Sequence, residues 1–464
     1  MSPLISGGDT SLVAEGPYSL GYDDPANAWD APIPGFVGPY GDGKAPLSDG
    51  SNSGNTLNPV FTGWGSAGSP ETGVVDGVEY VPAYIDNIEY EFAFQFFGTG
   101  PLDFVTQYVI VDSDNEEYEA YGVYTVSLGE LPPTAVVNGE APGHITLWFE
   151  KPIHDVPGAD LVVYENGFIS GYNQGGVGVG GVFAELAFVE VSTDGENFAR
   201  FPSISLTEAD AAPLRYGSMD PSLIYNLAGK HVNSDGDSWG TPFDLSTLLS
   251  EANVVNGLVD LENIRFVRIV DVCGIGVYNS GGVDYVGAVD SLGNVIYDPY
   301  RTTGSGGFDL DAIGAIGQPI YFDEWNAGRG LVPAGDDDGD GVSNLLEYAF
   351  DMNPAAPDPN LLPRMERVDG QPVLRFRRDV RNSDIVYLIE ATDSLTAPDW
   401  QVVARAQAFS DPEVLLTDPT AAELTTESRH TEASLGVWQE VCFTDKALNS
   451  PRFYRVRVDT VDEQ

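Results

Sequence analysis

The sequence predicts an all-β protein built from two sandwiches, a large jelly-roll-type domain followed by a small one. Glycine and proline are frequent, at 53 and 32 of the 464 residues, and patterns with helical periodicity are scarce. Short runs that alternate apolar and polar residues recur along the chain, as half-buried antiparallel strands do. Turn-forming residues separate these runs, which favours a sandwich over a helical fold.

Residues 1–320 are predicted to form the large jelly-roll-type domain. Within it, the stretch from Phe183 to Phe201 predicts a hairpin that turns at Asp194 and Gly195. The predicted strands, in chain order, are Tyr90–Phe97, Thr106–Asp112, Gly122–Leu128, Ile145–Glu150, Asp160–Tyr164, Ala184–Ser192, Phe266–Val272, Val283–Val289 and Phe308–Gly317.

The segment 321–361 is predicted to connect the two domains and to carry a cation-binding loop. Its run DDDGDGVSNLLE, residues 336–347, matches the calcium-loop pattern D-x-[DN]-x-[DN]-G-x5-E without a gap. Alternating carboxylates converge when such a backbone wraps, and Ca²⁺ prefers several oxygen ligands. A solvated acidic linker is the alternative. The predicted Ca²⁺ ligands are the side chains of Asp336, Asp338, Asp340, Asn344 and Glu347 and the carbonyl of Val342.

One short helix and a second sandwich are predicted to follow the loop. Glycine and proline before the loop disfavour an entering helix, whereas Leu345–Phe350 predicts an exit helix. Residues 362–464 then predict a small Ig-like β-sandwich. Its predicted strands are Val373–Arg378, Ile385–Thr392, Gln401–Ala406, Glu440–Thr444 and Phe453–Val458.

The charge of the chain restricts its partners and its environment. There are 21 basic and 71 acidic residues, which gives a formal net charge of −50. Nucleic acid is excluded as a partner because phosphate binding needs a basic surface. No run of about 18 apolar residues predicts a membrane span. Such acidity suits a secreted protein in water that is rich in salt or calcium.

A second cation site is predicted in the first domain. Asp290, Asn294 and Asp298 place oxygen donors four residues apart around Gly293. A β-turn held by hydrogen bonds to Asp or Asn side chains is the alternative interpretation. Further candidate ligands come from neighbouring segments with strand patterns and from the run YENGF: Asp271, Asp309, Asp311 and Glu165.

Five aromatic residues are candidates for ligand binding because they occupy loop-like segments rich in Gly and Asp. Sugars stack on exposed aromatic faces while nearby polar groups bind their hydroxyls. Packing beneath a long loop is the alternative for each. No catalytic residue is assigned, since the sequence has neither HExxH nor GxSxG. The five candidates are Trp29, Trp64, Trp239, Tyr278 and Tyr300.

Several blocks of the sequence resemble known secreted proteins. PGADLVVYENGF, FAELAFVEVSTDGENFARFPS, YNLAGKH, IRFVRIVDV and GNVIYDPY followed by GGFDLDAIGAIG resemble a family of bacterial exported cell-surface proteins related to those with a PEP-CTERM sorting tail. The resemblance spans residues 20–65 loosely and 125–317 well, which makes 66–124 an expected insertion. The acidic loop is similar to those of dockerins and thrombospondin type 3 repeats. The stretch DIVYLIEATDSLTAPDWQVV resembles part of a C-terminal module of Verrucomicrobia-type secreted proteins.

These observations predict a secreted or cell-surface calcium-binding protein of a bacterium. Its large domain is expected to bind a glycan or matrix component without catalysis, and Ca²⁺ is expected to rigidify the join between the domains. One alternative is a polysaccharide-active hydrolase or lyase with the jelly roll as catalytic domain. Another is a structural subunit that assembles with copies of itself in a surface layer or filament.

Overall fold

A computed structural model describes the backbone of residues 33–34, 61–65, 109–111, 117–119, 126–165, 167–170, 175–178, 180–209, 212–231, 239–302, 306–429, 438–446 and 452–461. Side chains are not described at positions 33–34, 64, 109–111, 117–119, 126–127, 311 and 428–429. Antiparallel strands dominate the described residues and the helices are short, which confirms the predicted all-β sandwich class. The predicted strand Tyr90–Phe97 lies outside the described residues.

The chain divides into two compact units. The first unit comprises Met1–His154 and Asp160–Ile316, and the second comprises Asp155–Ala159 and Gly317–Gln464. The whole segment 321–361 therefore belongs to the second unit.

The first unit holds strands β1 to β18. The first nine are β1 (Ile33–Pro34), β2 (Gly63–Trp64), β3 (Val109–Val111), β4 (Glu117–Glu119), β5 (Val126–Ser127), β6 (His144–Ile153), β7 (Leu161–Glu165), β8 (Phe168–Ile169) and β9 (Val182–Phe183). The next nine are β10 (Ala187–Ser192), β11 (Ala199–Arg200), β12 (Ile204–Ser205), β13 (Ile224–Tyr225), β14 (Trp239–Phe243), β15 (Ile264–Asp271), β16 (Val277–Ser280), β17 (Val283–Val286) and β18 (Asp309–Ala315). Two α-helices lie between them in the described residues, α1 (Pro133–Asn138) and α2 (Ala252–Val255), together with 3-10 helices at Pro221–Leu223 and Leu245–Leu248.

Two antiparallel sheets form the body of the first unit. One has the order β1-β14-β7-β18-β2, with β5 also paired to β18, and the other has the order β11-β10-β15-β6. Gly65, directly after β2, faces β6: a Cβ atom there would lie 2.9 Å from Leu147 Cδ1. Because these two strands belong to different sheets, the sheets pack face to face, as in a sandwich.

The hairpin predicted at Asp194 and Gly195 is confirmed. Strands β10 and β11 pair with Glu190 opposite Arg200. Asp194 Oδ1 accepts hydrogen bonds from the backbone amides of Glu196 and Asn197, at 2.8 and 2.7 Å. Gly195 has a φ of 78°, a left-handed conformation that glycine adopts without a steric penalty.

The second unit is a sandwich of two four-stranded antiparallel sheets. Their orders are β19-β20-β25-β24 and β23-β22-β21-β26. The strands are β19 (Arg364–Val368), β20 (Gln371–Asp379), β21 (Ile385–Thr392), β22 (Gln401–Gln407), β23 (Glu413–Val414), β24 (Ala422–Arg429), β25 (Trp438–Asp445) and β26 (Phe453–Thr460). Helices α3 (Phe322–Trp325) and α4 (Asn344–Phe350) precede them.

Helix α4 is part of the core of the second unit. The ring of Phe350 lies 6.0 Å from that of Tyr387 and 6.4 Å from that of Phe376, measured between centroids. The Tyr387 hydroxyl donates a 2.6 Å hydrogen bond to the carbonyl of Ala349. Side chains of α4, β20 and β21 thus bury one continuous apolar cluster, so the position of the helix depends on the sandwich and the sandwich on the helix.

Removing the Phe350 ring should therefore destabilise the sandwich as well as helix α4. Phe350 is 2 % exposed, and we expect Phe350→Ala to lower the free energy of unfolding by about 3–5 kcal/mol, because a large buried ring leaves a cavity. Urea unfolding of the full chain measures this change. The control Leu395→Ala alters a side chain that is 58 % exposed. Equal stability of the two variants would contradict the shared core.

Candidate metal centre

The loop 335–347 is closed by backbone hydrogen bonds at its two ends. The amide of Asn344 donates to the carbonyl of Gly335 at 2.8 Å, and that of Leu345 donates to Pro333 at 2.9 Å. Inside the loop, Gly339 and Gly341 have φ angles of 77° and 92°. These left-handed conformations let the chain turn sharply twice. The loop therefore wraps around its own carboxylates, as the sequence motif predicts.

Asp338 and Asp340 each turn one carboxylate oxygen toward the backbone. Asp338 Oδ1 accepts from the amide of Asp340 at 3.0 Å, and Asp340 Oδ1 accepts from the amide of Val342 at 2.8 Å. The Oδ2 atoms of Asp338 and Asp340 are buried and have no hydrogen-bond partner. One oxygen each from Asp336, Asp338 and Asp340 lies within 4.8 Å of the others. This arrangement suits a cation that draws the three oxygens together.

Glu347 lies in the first turn of α4, close enough to Asp338 and Asp340 for their charges to act on it. It is 0 % exposed, and neither of its carboxylate oxygens has a hydrogen-bond partner. Burial, followed by the negative charges of Asp338 and Asp340, raises its pKa to about 7. A buried carboxylate without a donor is costly, so this geometry fits a bound cation better than the alternative of a solvated linker.

Asn344 and Val342 have distinct places in the loop. The Asn344 Nδ2 group donates to the Val332 carbonyl at 2.8 Å and to Asp337 Oδ2 at 2.7 Å. Its Oδ1 atom is buried without a partner, which leaves that oxygen for an ion. Val342 is 7 % exposed and places its side chain in the core of the second unit. Asn344 therefore contributes to the candidate ion site, and Val342 contributes its side chain to the apolar core of the second unit.

The structure adds one acid that the motif does not contain. Asp358 is near enough for its charge to raise the pKa of Glu347. Its Oδ2 accepts from the amide of Asn353 at 2.9 Å, whereas its Oδ1 is buried without a partner. Asp358 lies within the turn-rich stretch NPAAPDPN, residues 353–360, which carries a turn signal but no signal for a metal ligand.

The loop residues fit calcium by the chemistry of their donors. The candidate ligands are carboxylate, amide and carbonyl oxygens, which hard divalent cations prefer over nitrogen or sulfur. Asp336 is held by two donors, since Gly339 and Gly341 amides lie 2.9 and 3.0 Å from its two oxygens. A bound Ca²⁺ would offset the repulsion among these acids and pull Glu347 toward the loop.

The hydrogen bonds around Gly293 favour the turn alternative over the predicted cation site. Asp290 Oδ1 accepts from the amides of Leu292 and Asn294, both at 2.8 Å. Its Oδ2 accepts from the amide of Ser205 and from Asn294 Nδ2, both at 2.9 Å. Four donors therefore occupy the Asp290 carboxylate, and Asn294 turns its nitrogen rather than its oxygen toward it. These contacts favour a structural turn for both residues.

Other candidates of the first domain are buried. Asp298, Asp309 and Glu165 are 3, 2 and 1 % exposed, and the charges of Asp309 and Glu165 act on the buried Glu185. Asp311 belongs to β18, and its side chain is not among those described. Asp298 Oδ2 accepts a hydrogen bond from the amide of Leu186 at 3.1 Å, whereas Asp290 binds Asn294.

The aromatic candidates divide between packing and exposure. Trp239 packs against a buried apolar cluster, and the Tyr300 hydroxyl donates to the Leu131 carbonyl at 2.9 Å. Both follow the packing alternative. Tyr278 on β16 is 36 % exposed, which leaves it accessible to a ligand. Trp29 lies outside the described residues, and only the backbone of Trp64 is described.

Comparison of the chain with models of protein families, with curated proteins and with solved structures gives no match in any of the three. The resemblance to bacterial exported proteins therefore stays a prediction. None of the helices in the described part of the chain has the length and apolarity needed to cross a membrane.

The pKa of Glu347 predicts that protons compete with calcium. A carboxyl group must lose its proton to bind a metal, and the pKa of this one is about 7. We therefore expect the apparent Kd for Ca²⁺ to rise about tenfold between about pH 8 and about pH 6. Calorimetric titration at several pH values measures the change, and a Kd that stays constant would contradict the assignment of Glu347.

Calcium binding is expected to strengthen as pH rises, whereas the stability of the calcium-free protein is expected to fall as pH rises. Since the pKa of Glu347 is above its ordinary value of 4.5, the folded state holds the proton more tightly than the unfolded state. The stability from this group is full below that ordinary pKa and is lost as pH rises through about 7. Urea unfolding in chelator gives this dependence.

Proposed function

We propose that this chain is a calcium-binding protein that is secreted by a bacterial cell or attached to its surface. The 335–347 loop takes one Ca²⁺ through Asp336, Asp338, Asp340, Asn344 and Glu347, with the Val342 carbonyl as a further ligand. The observation that carries the proposal is Glu347, whose two oxygens are buried without a hydrogen-bond partner among the negative charges of the loop.

The ion would stabilise the second unit through helix α4. Glu347 lies in the first turn of that helix, and the next residue, Tyr348, is 2 % exposed. The Tyr348 hydroxyl lies 2.9 Å from Asp384 Oδ1, and the Tyr348 ring is 5.6 Å from that of Phe322. A ligand that binds only the folded loop adds its binding free energy to the stability of everything that packs on the helix.

The charge and the proposed ion support an extracellular location. Calcium loops of extracellular modules bind with a Kd of about 10⁻⁴–10⁻³ M, which suits the high calcium concentrations outside cells. A formal net charge of −50 is tolerated best where counterions are plentiful, because they screen the repulsion within the protein. Both features support a protein that works outside the cytoplasm.

A glycan or matrix component is the proposed partner of the first unit. The β16–β17 hairpin is the surface that supports it: Tyr278 is 36 % exposed there, beside exposed Val277 and Val286. An aromatic ring on an accessible strand offers a stacking face for a sugar. The alternatives are hydrolysis or cleavage of a polysaccharide, and assembly with further copies of the chain through this apolar hairpin.

Calcium should raise the unfolding temperature of the second unit, and Glu347→Gln should remove most of that increase. The gain in free energy of unfolding is about 2.7 kcal/mol at a hundredfold excess of calcium over its Kd. Thermal unfolding measures this gain for the whole protein. Hydrogen exchange of β20 and β21, which lie within residues 371–392, measures it locally. The matched control is Asp369→Asn, which removes one charge from an exposed turn where Asn keeps the φ of 51°.

The outcome that contradicts the calcium site is specific. It would be a Glu347→Gln variant that keeps the same calcium-dependent protection of β20 and β21 as the natural chain and the Asp369→Asn control. Protection lost in both variants would mean that bulk charge, rather than the loop, is responsible.

Tyr278→Ala should abolish binding to whichever glycan the natural chain retains on a glycan array, since the stacking face is lost. A reducing-end assay on the retained glycans then separates binding from cleavage: binding without new ends supports a non-catalytic module. Unchanged glycan binding by the variant would contradict the role of the hairpin.

A further inference from the structure

Four carboxyl groups are buried together at one end of the first unit, and we refer to them as the buried carboxyl cluster. Each of the four side chains is at most 5 % exposed. They come from separate segments of the chain, so only the fold brings them together. The members are Glu130, Glu185, Asp271 and Asp298.

Strand pairing places three of the four at the same end of one sheet. Asp271 is the last residue of β15 and lies opposite Ala187, the first residue of β10. The amide of Leu186, which lies between Glu185 and Ala187, donates to Asp298 Oδ2 at 3.1 Å. Residues 185–187 therefore connect these three acids.

Thr302 joins Glu130 to this group. Its amide donates to Glu130 Oε2 at 3.0 Å, and its hydroxyl donates to Glu185 Oε1 at 2.7 Å. The amide of Phe308 donates to Asp271 Oδ1 at 2.8 Å. All of these donors are uncharged, so none of them supplies the positive charge that would offset an ionised carboxyl group in a buried place.

Other buried acids of the first unit have more or stronger partners. Glu190, which is 6 % exposed, accepts from Arg200 and Arg268 at 2.7 and 2.5 Å. Asp290, which is 5 % exposed, accepts from four donors. By contrast, no member of the cluster forms an ion pair with any residue that the structure describes.

Two carboxyl oxygens of the cluster, Asp271 Oδ2 and Asp298 Oδ1, are buried without a hydrogen-bond partner. Asp298 Oδ1 packs against the backbone of Gly274, where a Cβ atom would lie only 1.4 Å away. An ionised oxygen in such a place loses its hydration without compensation. A protonated carboxyl group carries no charge and therefore avoids most of this cost.

The surroundings of the cluster offer little positive charge. Arg301 and Arg215 act on Glu130, but both are exposed and so act through solvent that screens them. The buried Lys230 donates to the Ile224 carbonyl at 2.6 Å. The remaining titratable neighbours add negative charge when they ionise, and they are Glu165, Asp309, Cys273 and Tyr300.

The pKa values of the four acids agree with these contacts. Burial is the largest cause that raises the pKa values of Glu185, Asp271 and Asp298 well above their ordinary range, and neighbouring acids raise them further. Burial also raises the pKa of Glu130 to about 8. The folded first unit therefore holds protons on these groups more tightly than the unfolded chain does.

We propose that the buried carboxyl cluster is a pH-sensitive device, which holds the first unit together while its acids are protonated and loosens it as the water becomes alkaline. The stability from these protons is complete below about pH 4, the ordinary range of Asp and Glu. It is lost as pH rises through the raised pKa values, which for Glu130 is about 8. The device needs no calcium and is independent of the 335–347 loop.

Infrared spectroscopy tests the protonation directly. At about pH 7 exposed Asp and Glu are ionised, so a remaining carbonyl band of protonated carboxylic acids comes from buried groups. We expect this band in the natural chain in excess calcium, and a weaker band in Asp271→Asn/Asp298→Asn. The exposed Glu208→Gln is the control and should keep the full band. A folded natural chain without the band, or a double variant that keeps all of it, would overturn the proposal.

Hydrogen exchange tests the effect on stability. In excess calcium, and after correction for the intrinsic exchange rate, the protection of β15 should fall between about pH 6 and about pH 8. The expected fall is about tenfold per pH unit for each proton that only the folded state holds. In Asp271→Asn/Asp298→Asn the fall per pH unit should be about a hundredfold smaller, since two such protons are gone. Strand β21 of the second unit is the internal reference and should keep its protection.

The slope of protection against pH separates the device from a merely structural role. A double variant that is less protected at every pH but has the same slope as the natural chain would show that the acids only support the fold. Protection of β15 that does not change with pH in the natural chain would also overturn the proposal. Should the double variant not fold, Glu185→Gln removes one proton and should reduce the slope by about tenfold per pH unit.

Discussion

Repulsion between buried carboxylates is the constraint on which the structure of this protein depends. In the second unit, Asp338, Asp340 and Glu347 have buried carboxylate oxygens without a hydrogen-bond partner. Asp271 and Asp298 have such oxygens in the first unit. Taking such a charge out of water is unfavourable unless a proton or a cation offsets it. The stability of each unit therefore depends on the concentrations of protons and cations in the surrounding water.

In the second unit, the crowded carboxylates affect the stability of the whole sandwich, because helix α4 connects the loop to the core. Helix α4 carries Glu347 toward the loop, while its Phe350 packs against the ring of Tyr387. The carbonyl of Phe350 also accepts a 2.6 Å hydrogen bond from Arg377 Nε on β20. Because the helix has only seven residues, it gains its stability from these contacts rather than from its own hydrogen bonds. The proposed ion at one end and the apolar core at the other would hold it in place.

Sequence reasoning succeeded where the signal is local. The strand Ile385–Thr392 was predicted with the bounds the structure has, because its apolar residues mark it clearly. Strands β19 and β24 are edge strands that are largely exposed, so they lack that alternation and were not predicted. Strand β14 contains glycine and proline, so its sequence pattern indicates a loop and not a strand. For the cation site, twelve consecutive residues carry the loop motif, whereas Asp358 lies outside the motif and only the fold brings its charge near Glu347. Only the four donors to the Asp290 carboxylate favour a structural turn over a cation site around Gly293.

The most direct test of this account is a crystal structure grown with calcium and measured at a wavelength where calcium scatters anomalously. The account predicts an anomalous peak inside the 335–347 loop, about 2.3–2.6 Å from oxygens of Asp336, Asp338, Asp340 and Glu347. A well-ordered loop with no anomalous peak, and with the Glu347 oxygens contacting only water, would contradict it.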